Sequence, residues 1–411
     1  MNTSKHWLFY IYSVLIFLPA IYRLYLPQDV GDYAYYVFAF LVPLVAFFVT
    51  TITSTIRVKI LLVLLSILIV LSWSWLLSSG NELSSAIIFH GFKVYMIPVL
   101  MLLLGYHLGL TVTGKTYIRT LLIILAAHFI FSLLFYFDVL SNPMYDEYSG
   151  RFKENWVATV GGVKAFTGLT LSKFDLAYQV GFVLVGLLMM RRYFSNCRLE
   201  YLLCIVLGVI LIVFTYNKTI LVVLLLTLSA LIFRSTKSRS TALAYITLAT
   251  VIAVLAYGSF LFLAGEVNLT DVYKFLSPQT FWSRLVGWEE LFHFEPANVL
   301  SGYGAGYFDQ SKTILDNQFL YTYLELGVVG AITYFIVLFY IMYQFSQKDA
   351  LAKLYIVLLL LVFIVGDILN ALSVMYVVGL FFAQANRFLG SRYLTFHSEG
   401  QQHISRQSIP R

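Results

Sequence analysis

The chain of 411 residues is 60% hydrophobic and only 11% charged, with a formal net charge of +7. Soluble domains carry about 25% charged residues, so this composition excludes a water-soluble globular protein and predicts a polytopic membrane protein. The positive excess follows the loop pattern described below and does not suggest nucleic-acid binding.

Apolar segments of membrane-spanning length recur along the chain. A bilayer core of about 30 Å requires about 20 mainly apolar residues per helix. Segments that meet this requirement lie at 7–24, 33–53, 60–77, 91–110, 118–138, 174–190, 200–216, 219–233, 241–263 and 319–345. The remaining apolar run, 354–386, is too long for one crossing, and Gly366, Asp367 and Asn370 interrupt it, so we expect two short spans there. The predicted fold class is all-α, with about twelve transmembrane helices.

Charge placement predicts the orientation of these spans. Basic residues occupy alternate short loops, such as those around Arg57, Arg191 and Arg234, whereas the short loop 78–86 contains none. By the positive-inside rule, the basic loops and both termini lie in the cytoplasm.

Two long segments, at about 139–173 and 264–317, fall on the opposite, external side. Loops of more than about 15 residues in a compact architecture are usually functional. We therefore predict a single transmembrane domain over 1–396 that carries these two external loops. The segment 397–411 is predicted to be a polar, disordered cytoplasmic tail.

Cations are rare on the external side and concentrate near the long loops. Arg151 and Lys164 lie in the first loop, Arg284 lies in the second, and Lys218 lies in the hairpin between two spans. Guanidinium binds phosphate bidentately and Lys binds it as a point charge, so the group favours an anionic substrate. The alternative is a set of solvated loop charges paired with neighbouring carboxylates.

The stretch "LSGYGAGYFDQSKTILDNQFLYTYLELGVVG", residues 300–330, is unusually polar and rich in glycine. Its glycines allow the backbone to approach a ligand closely, and the absence of a preceding strand argues against a dinucleotide site. Asp316 precedes the apolar run that begins at Phe319, so it is a candidate N-cap. On the external side it is also a candidate general base. Glu325 lies two and a half helical turns further on, away from Asp316, and is predicted to make interior polar contacts.

This stretch resembles a motif of the bacterial O-antigen polymerase and O-antigen ligase superfamily of membrane glycosyltransferases. Asp316-Asn317 is followed by nine residues, Gly327, two residues and Gly330, where the ligases carry histidine in place of the aspartate. The segment "SRLVGWEELFHFEPANVLSGYGAG" is similar to the family's approach to the motif, with Arg284 in the arginine position. In the first loop, "RFKENWVATVGG" is similar to loop patterns of the polymerases. The twelve-span topology with two external loops is also similar.

The resemblance implies a GT-C-like fold in the bacterial inner membrane, with its active face in the periplasm and without a cofactor or metal. The donor would be a polyprenyl-diphosphate-linked oligosaccharide, and the other partners would be the lipid bilayer, a chain-length regulator and a flippase. Asp316 and Arg284 would be the catalytic residues. The remaining candidates would bind substrate or shape the site: Arg151, Lys164, Lys218, Asn317, Gly302, Gly304 and Gly306.

The missing ligase histidine favours a polymerase of repeat units over an O-antigen ligase that transfers glycan to the lipid A core. A flippase of lipid-linked oligosaccharides is a non-enzymatic alternative, but it would show internal symmetry and charges along a central cavity. A structural or receptor membrane protein would make the motif spacing a coincidence. The sequence leaves open the sugars, the linkage and the kind of surface polysaccharide.

Overall fold

The computed structural model describes most of the apolar segments of the chain. The described residues are 54–77, 85–141, 159–160, 163–170, 172–235, 298–307, 317–346, 350–365, 369 and 373–387, together with Phe9, Tyr10 and Ser13. Apart from those three residues, the predicted spans at 7–24, 33–53 and 241–263 lie outside this part of the chain.

Helices account for nearly all of the described structure, which confirms the all-α class. They are α1 (Ser54–Leu77), α2 (Ser85–Gly91), α3 (Ile97–Thr111), α4 (Gly114–Tyr136), α5 (Lys173–Met189), α6 (Arg198–Thr215), α7 (Lys218–Ser235), the single turn α8 (Asn298–Ser301), α9 (Gln318–Ser346), α10 (Ala350–Val365) and α11 (373–387). A π-helical turn, Phe92–Met96, joins α2 to α3, and short 3₁₀ helices occupy Gly168–Thr170 and Arg191–Cys197. The last predicted apolar run forms two helices, α10 and α11, as expected.

Among the described residues, four helical stretches are long and apolar enough to cross a membrane: Ile87–Thr111, Gly114–Tyr136, Arg191–Thr215 and Gln318–Ser346. Shorter apolar helices occupy Leu61–Leu76 and Ala350–Ile364. Their outward surfaces carry bare leucine and isoleucine side chains, such as Leu76 at 80% and Ile336 at 63% exposure. Exposed apolar faces of this extent are stable only against lipid or another apolar surface.

The described end of the first long loop, residues 163–170, packs on the helices. Two residue pairs, Thr159–Val160 and Val163–Lys164, form a small antiparallel hairpin. Beyond it the backbone N–H of Phe166 donates to the carbonyl of Phe214 at 2.9 Å, and the N–H of Gly168 donates to the Ser132 hydroxyl at 3.0 Å. These bonds satisfy the backbone of an irregular segment that is buried in protein, as a low-dielectric environment requires.

The π-helical turn before α3 has a local cause. Proline at position 98 lacks an N–H, and its ring displaces the carbonyl one turn earlier, which disturbs the α-helical bonding pattern. The N–H of Ile97 donates instead to the carbonyl of Phe92, five residues back. One extra residue is thereby fitted into the turn, which changes the direction of the side chains between Phe92 and Met96.

Helices α3 and α11 approach each other closely through glycine. A Cβ on Gly105 would lie 2.2 Å from the carbonyl oxygen of Tyr376, and a Cβ on Gly379 would lie 2.2 Å from the carbonyl oxygen of Leu102. In a membrane the hydrophobic effect does not drive helices together, because the lipid tails are also apolar. Helices associate there through close packing, which small residues allow. Helix α11 also contacts α10, where Tyr355 stacks on Phe381 with ring centroids 4.0 Å apart.

Gly379→Ala is expected to destabilise the protein because the new methyl group meets backbone atoms of α3, which cannot move aside separately. Overpacking of this kind costs about 1–3 kcal/mol. We expect a lower melting temperature in detergent. Gly186→Ala is the control, since its Cβ would meet one ring carbon of Phe381 at 3.0 Å. Equal melting temperatures for the two variants would contradict the close approach of α3 and α11.

Candidate functional site

Helix α9 is interrupted at Gly327, one of the glycines of the motif. Gly327 has φ 69° and ψ 177°, a backbone region that is essentially open to glycine alone. A Cβ at this position would lie 2.1 Å from the carbonyl oxygen of Leu300. The break divides α9 into an outer segment, 318–326, and a longer inner segment.

The interruption leaves carbonyl groups of the outer segment without helical partners, and residues 302–307, here called the glycine loop, supply the missing donors. The N–H of Tyr303 donates to the carbonyl of Leu324 at 2.8 Å, and the N–H of Gly304 donates to the carbonyl of Glu325 at 3.0 Å. Gly302 has φ 71°, and a Cβ there would lie 2.3 Å from the Glu325 carbonyl oxygen. The glycine loop therefore completes the backbone bonding of the broken helix.

The side chain of Glu325 fastens the other end of the glycine loop. Its Oε2 accepts a hydrogen bond from the N–H of Gly306 at 2.9 Å and another from the Tyr95 hydroxyl at 2.8 Å. Glu325 and Tyr95 are both 0% exposed. The prediction that Glu325 makes interior polar contacts is confirmed, and its main partners are the glycine loop and the π-helical turn.

Helix α1 holds the middle of the glycine loop. The Ser74 hydroxyl donates to the Glu325 carbonyl at 2.8 Å and accepts from the N–H of Ala305 at 3.1 Å. The indole N–H of Trp75 donates to the Ala305 carbonyl at 2.9 Å. Gly306 packs against α2, where a Cβ would lie 2.2 Å from the carbonyl oxygen of Ile87. The loop is thus enclosed by α1, α2 and α9.

Asn317 marks the beginning of α9. Its Oδ1 accepts the N–H of Leu320 at 2.9 Å, which is the N-cap geometry. Asn317 therefore caps α9, whereas Asp316, the predicted cap, lies outside the described residues. The nine residues between Asn317 and Gly327 form a helical segment of about 13 Å, bounded by the cap and by the break. This gives the spacing of the motif a structural meaning.

The predicted site residues fall into three groups. Gly302, Gly304, Gly306 and Asn317 all lie on or against the outer segment of α9. Arg151, Arg284 and Asp316 lie outside the described residues. Lys164 and Lys218 lie among α4–α7.

Lys164 ends the small hairpin and forms an ion pair with Asp138, just beyond the end of α4. Its side chain is 33% exposed and that of Asp138 is 71% exposed, so the pair is solvated and weak. Lys218 is the first residue of α7, following Asn217, whose Oδ1 caps that helix through the N–H of Ile220 at 3.2 Å. Lys164 thus lies at the end of a strand and Lys218 at the beginning of a helix, and both occupy connections between predicted spans.

Sequence reasoning missed Tyr95 and Ser74. Both lie in apolar runs of predicted spans, more than 200 residues before the glycine loop that they help to hold. A signal for Tyr95 exists in the sequence, since Pro98 predicts a disturbed turn just before it.

An apolar groove runs along one side of α9. It is lined by Phe319, Tyr323, Val328, Ala331, Ile332, Phe335, Ile336 and Phe339. The groove extends from Phe319 to Phe339, on both sides of the break at Gly327. Among the described residues no group of three or more His, Cys, Asp or Glu side chains has the geometry of a metal site.

Comparisons with protein-family models, with curated proteins and with solved structures find no match to this chain.

Gly302→Ala is expected to displace the glycine loop from α9. A left-handed φ costs a non-glycine residue about 1–2 kcal/mol, and the clash with the Glu325 carbonyl adds about 1–3 kcal/mol. We expect a clear fall in thermal stability, measured by fluorescence-detected size-exclusion chromatography. Leu300→Ala is the control because Leu300 is adjacent and 60% exposed. Equal melting temperatures for Gly302→Ala and Leu300→Ala would contradict the packing of the glycine loop on α9.

Proposed function

We propose that this protein polymerises polyprenyl-diphosphate-linked oligosaccharide repeat units into O-antigen or a related surface polysaccharide. The reaction would take place on the external face of the bacterial inner membrane. The observation that supports this proposal best is the unit formed by Asn317, Gly327 and the glycine loop. Two residues of the motif that resembles O-antigen polymerases and ligases, Asn317 and Gly327, define the ends of one helical segment, and the glycine loop packs on it.

In the proposed reaction, a hydroxyl of the acceptor sugar attacks the anomeric carbon of the donor. The new glycosidic C–O bond forms as the bond to the diphosphate breaks, and the diphosphate leaves with the bonding electrons. The hydroxyl proton passes to Asp316 as general base, and the free energy comes from the diphosphate bond, without ATP or a metal. Both proton transfer and charge stabilisation at the leaving group are common sources of rate enhancement.

Arg284 is proposed to hold the diphosphate, with Arg151, Lys164 and Lys218 as further cationic contacts. Lys164 is compatible with this role because its partner, Asp138, is mostly exposed and an anionic ligand can replace it. Asn317 and the glycines at 302, 304 and 306 are proposed to shape the saccharide site. The replacement of the ligase histidine by Asp316 favours a polymerase over a ligase.

The gel pattern of surface polysaccharide from a strain that lacks this gene tests the function. We expect lipopolysaccharide with a single repeat unit and no ladder, because export and ligation would remain intact while polymerisation stops. Bare core without any repeat unit would indicate a ligase or a flippase instead. An unchanged ladder would exclude O-antigen synthesis.

Complementation of the same strain separates the two catalytic roles. Arg284→Ala and Asp316→Asn should each fail to restore the ladder, although the protein accumulates in the membrane. Full restoration by Arg284→Ala would overturn the diphosphate assignment. Full restoration by Asp316→Asn would overturn its assignment as base.

The groove along α9 is proposed to hold part of the polyprenyl chain, since its lining is almost entirely apolar and aromatic. Ile332→Trp adds bulk on the lining of the groove and is expected to shorten the polysaccharide ladder and raise the KM for the lipid-linked donor. Val329→Trp is the matched control, because Val329 is 50% exposed, comparable to Ile332 at 55%, and does not line the groove. Equal ladders from both variants would exclude the groove as a donor site.

A further inference from the structure

Glu325 is an acidic side chain placed within a helix that is otherwise almost wholly apolar. Its carboxyl group is 0% exposed and lies beneath the glycine loop. An ionisable group in such a position is costly, about 2.5–3.5 kcal/mol at mid-bilayer by insertion scales, and is a functional candidate by default. Because the side chain is covered on all sides, a sugar substrate does not touch it.

The hydrogen bonds of Glu325 join three separate parts of the chain. One carboxylate oxygen, Oε2, accepts from the glycine loop through Gly306 and from the π-helical turn through Tyr95. The backbone carbonyl of the same residue accepts from Gly304 of the loop and from Ser74 of α1.

The position of Tyr95 is fixed independently of Glu325. The π-helical turn sets its direction, and its ring packs edge-to-face on Tyr334 of α9 with centroids 5.1 Å apart. Glu325 therefore links the glycine loop to Tyr95, a side chain that is held in place by its own packing. A buried hydrogen-bond network of this kind makes one arrangement more stable than alternatives in which its donors lose their acceptor.

We propose that Glu325 is a positioning residue for the glycosyl transfer: its Oε2, held by Tyr95, fixes the backbone of the glycine loop at the saccharide site. This inference rests on the proposed function for its catalytic consequence, but the hold on the loop is independent of the reaction. The role requires an acceptor oxygen within hydrogen-bond reach of both the Gly306 N–H and the Tyr95 hydroxyl. It involves no proton transfer to or from the substrate.

Substitutions at Glu325 distinguish an acceptor oxygen from a required charge. Glu325→Gln keeps an acceptor oxygen at the same distance from the backbone and is expected to retain most of the polysaccharide ladder. Glu325→Asp keeps the charge but withdraws the carboxylate by one methylene, so neither donor is reached. Since a displacement of 1 Å can lower a rate about 100-fold, we expect the Asp variant to lose kcat by a factor of that order, with a smaller change in KM.

Two tyrosine variants form a matched pair. Tyr95→Phe removes the donor to the Glu325 carboxylate and is expected to reduce kcat about ten- to hundredfold, the range for loss of one hydrogen bond to a charged group. Tyr334→Phe removes a hydroxyl that is equally buried and has no hydrogen-bond partner among the described residues. It should stay near wild type, and equal losses from both variants would overturn the proposed role of Tyr95.

The position of the loop is measured without any assumption about the reaction. Tyr307→Cys places a thiol at the end of the glycine loop, and labelling with a membrane-impermeant maleimide reports its accessibility. The chain without this substitution gives the background, because both native cysteines, Cys197 and Cys204, are buried. In the Tyr307→Cys chain, Glu325→Asp should change the labelling rate severalfold, whereas Glu325→Gln should not.

The outcomes separate the two proposals. Unchanged labelling in the Asp variant, or loss of the ladder in a Gln variant that accumulates normally, would overturn the role of Glu325. A normal ladder in the deletion strain combined with altered labelling in the Asp variant would overturn the proposed function and leave the hold on the loop established.

Discussion

The buried carboxyl group of Glu325 is the point at which the glycine loop, the π-helical turn and α9 are joined. It accepts hydrogen bonds from the glycine loop and from the π-helical turn. Because the residue is fully buried, water cannot replace these bonds. Leaving one of these buried donors unsatisfied costs about 1–3 kcal/mol, so the three elements are stable only together. The glycine loop, the π-helical turn and the break in α9 are three parts of one arrangement.

The break in α9 shows how a membrane helix can carry an irregular backbone. A glycine at φ 69° ends the regular bonding, and the carbonyls of Leu324 and Glu325 accept instead from the loop. Non-helical backbone at membrane depth is tolerated where protein buries and satisfies it. The close approach of residues 300–302 to α9 leaves no room for a Cβ at Gly302 or Gly327, which explains why glycine occupies both positions.

Much of this architecture could be predicted from the sequence because length and hydropathy determine where an apolar helix lies. The helices from 54 to 235 and from 318 to 387 fall at the predicted spans, and the long apolar run after 354 forms two helices, as Gly366, Asp367 and Asn370 indicated. The glycines at 302, 304 and 306 were identified for their freedom of backbone. The sequence did not predict that these glycines contact a broken helix. Gly327, where the helix breaks, lies in an apolar run that otherwise favours a continuous helix. The contacts of Tyr95 and Ser74 could not be predicted either, since hydropathy contains no information on which spans adjoin.

The order of these elements along the chain has a consequence for biogenesis. The glycine loop precedes α9 by only about ten residues, so it leaves the ribosome just before the helix whose carbonyls it satisfies. Closing so short a loop costs little conformational entropy. Ser74 and Tyr95 are already in the membrane by then, since a chain is synthesised from its N-terminus. The outer segment of α9 therefore meets both its backbone donors and its side-chain partners as it inserts, and its polar groups are paired with protein from the outset.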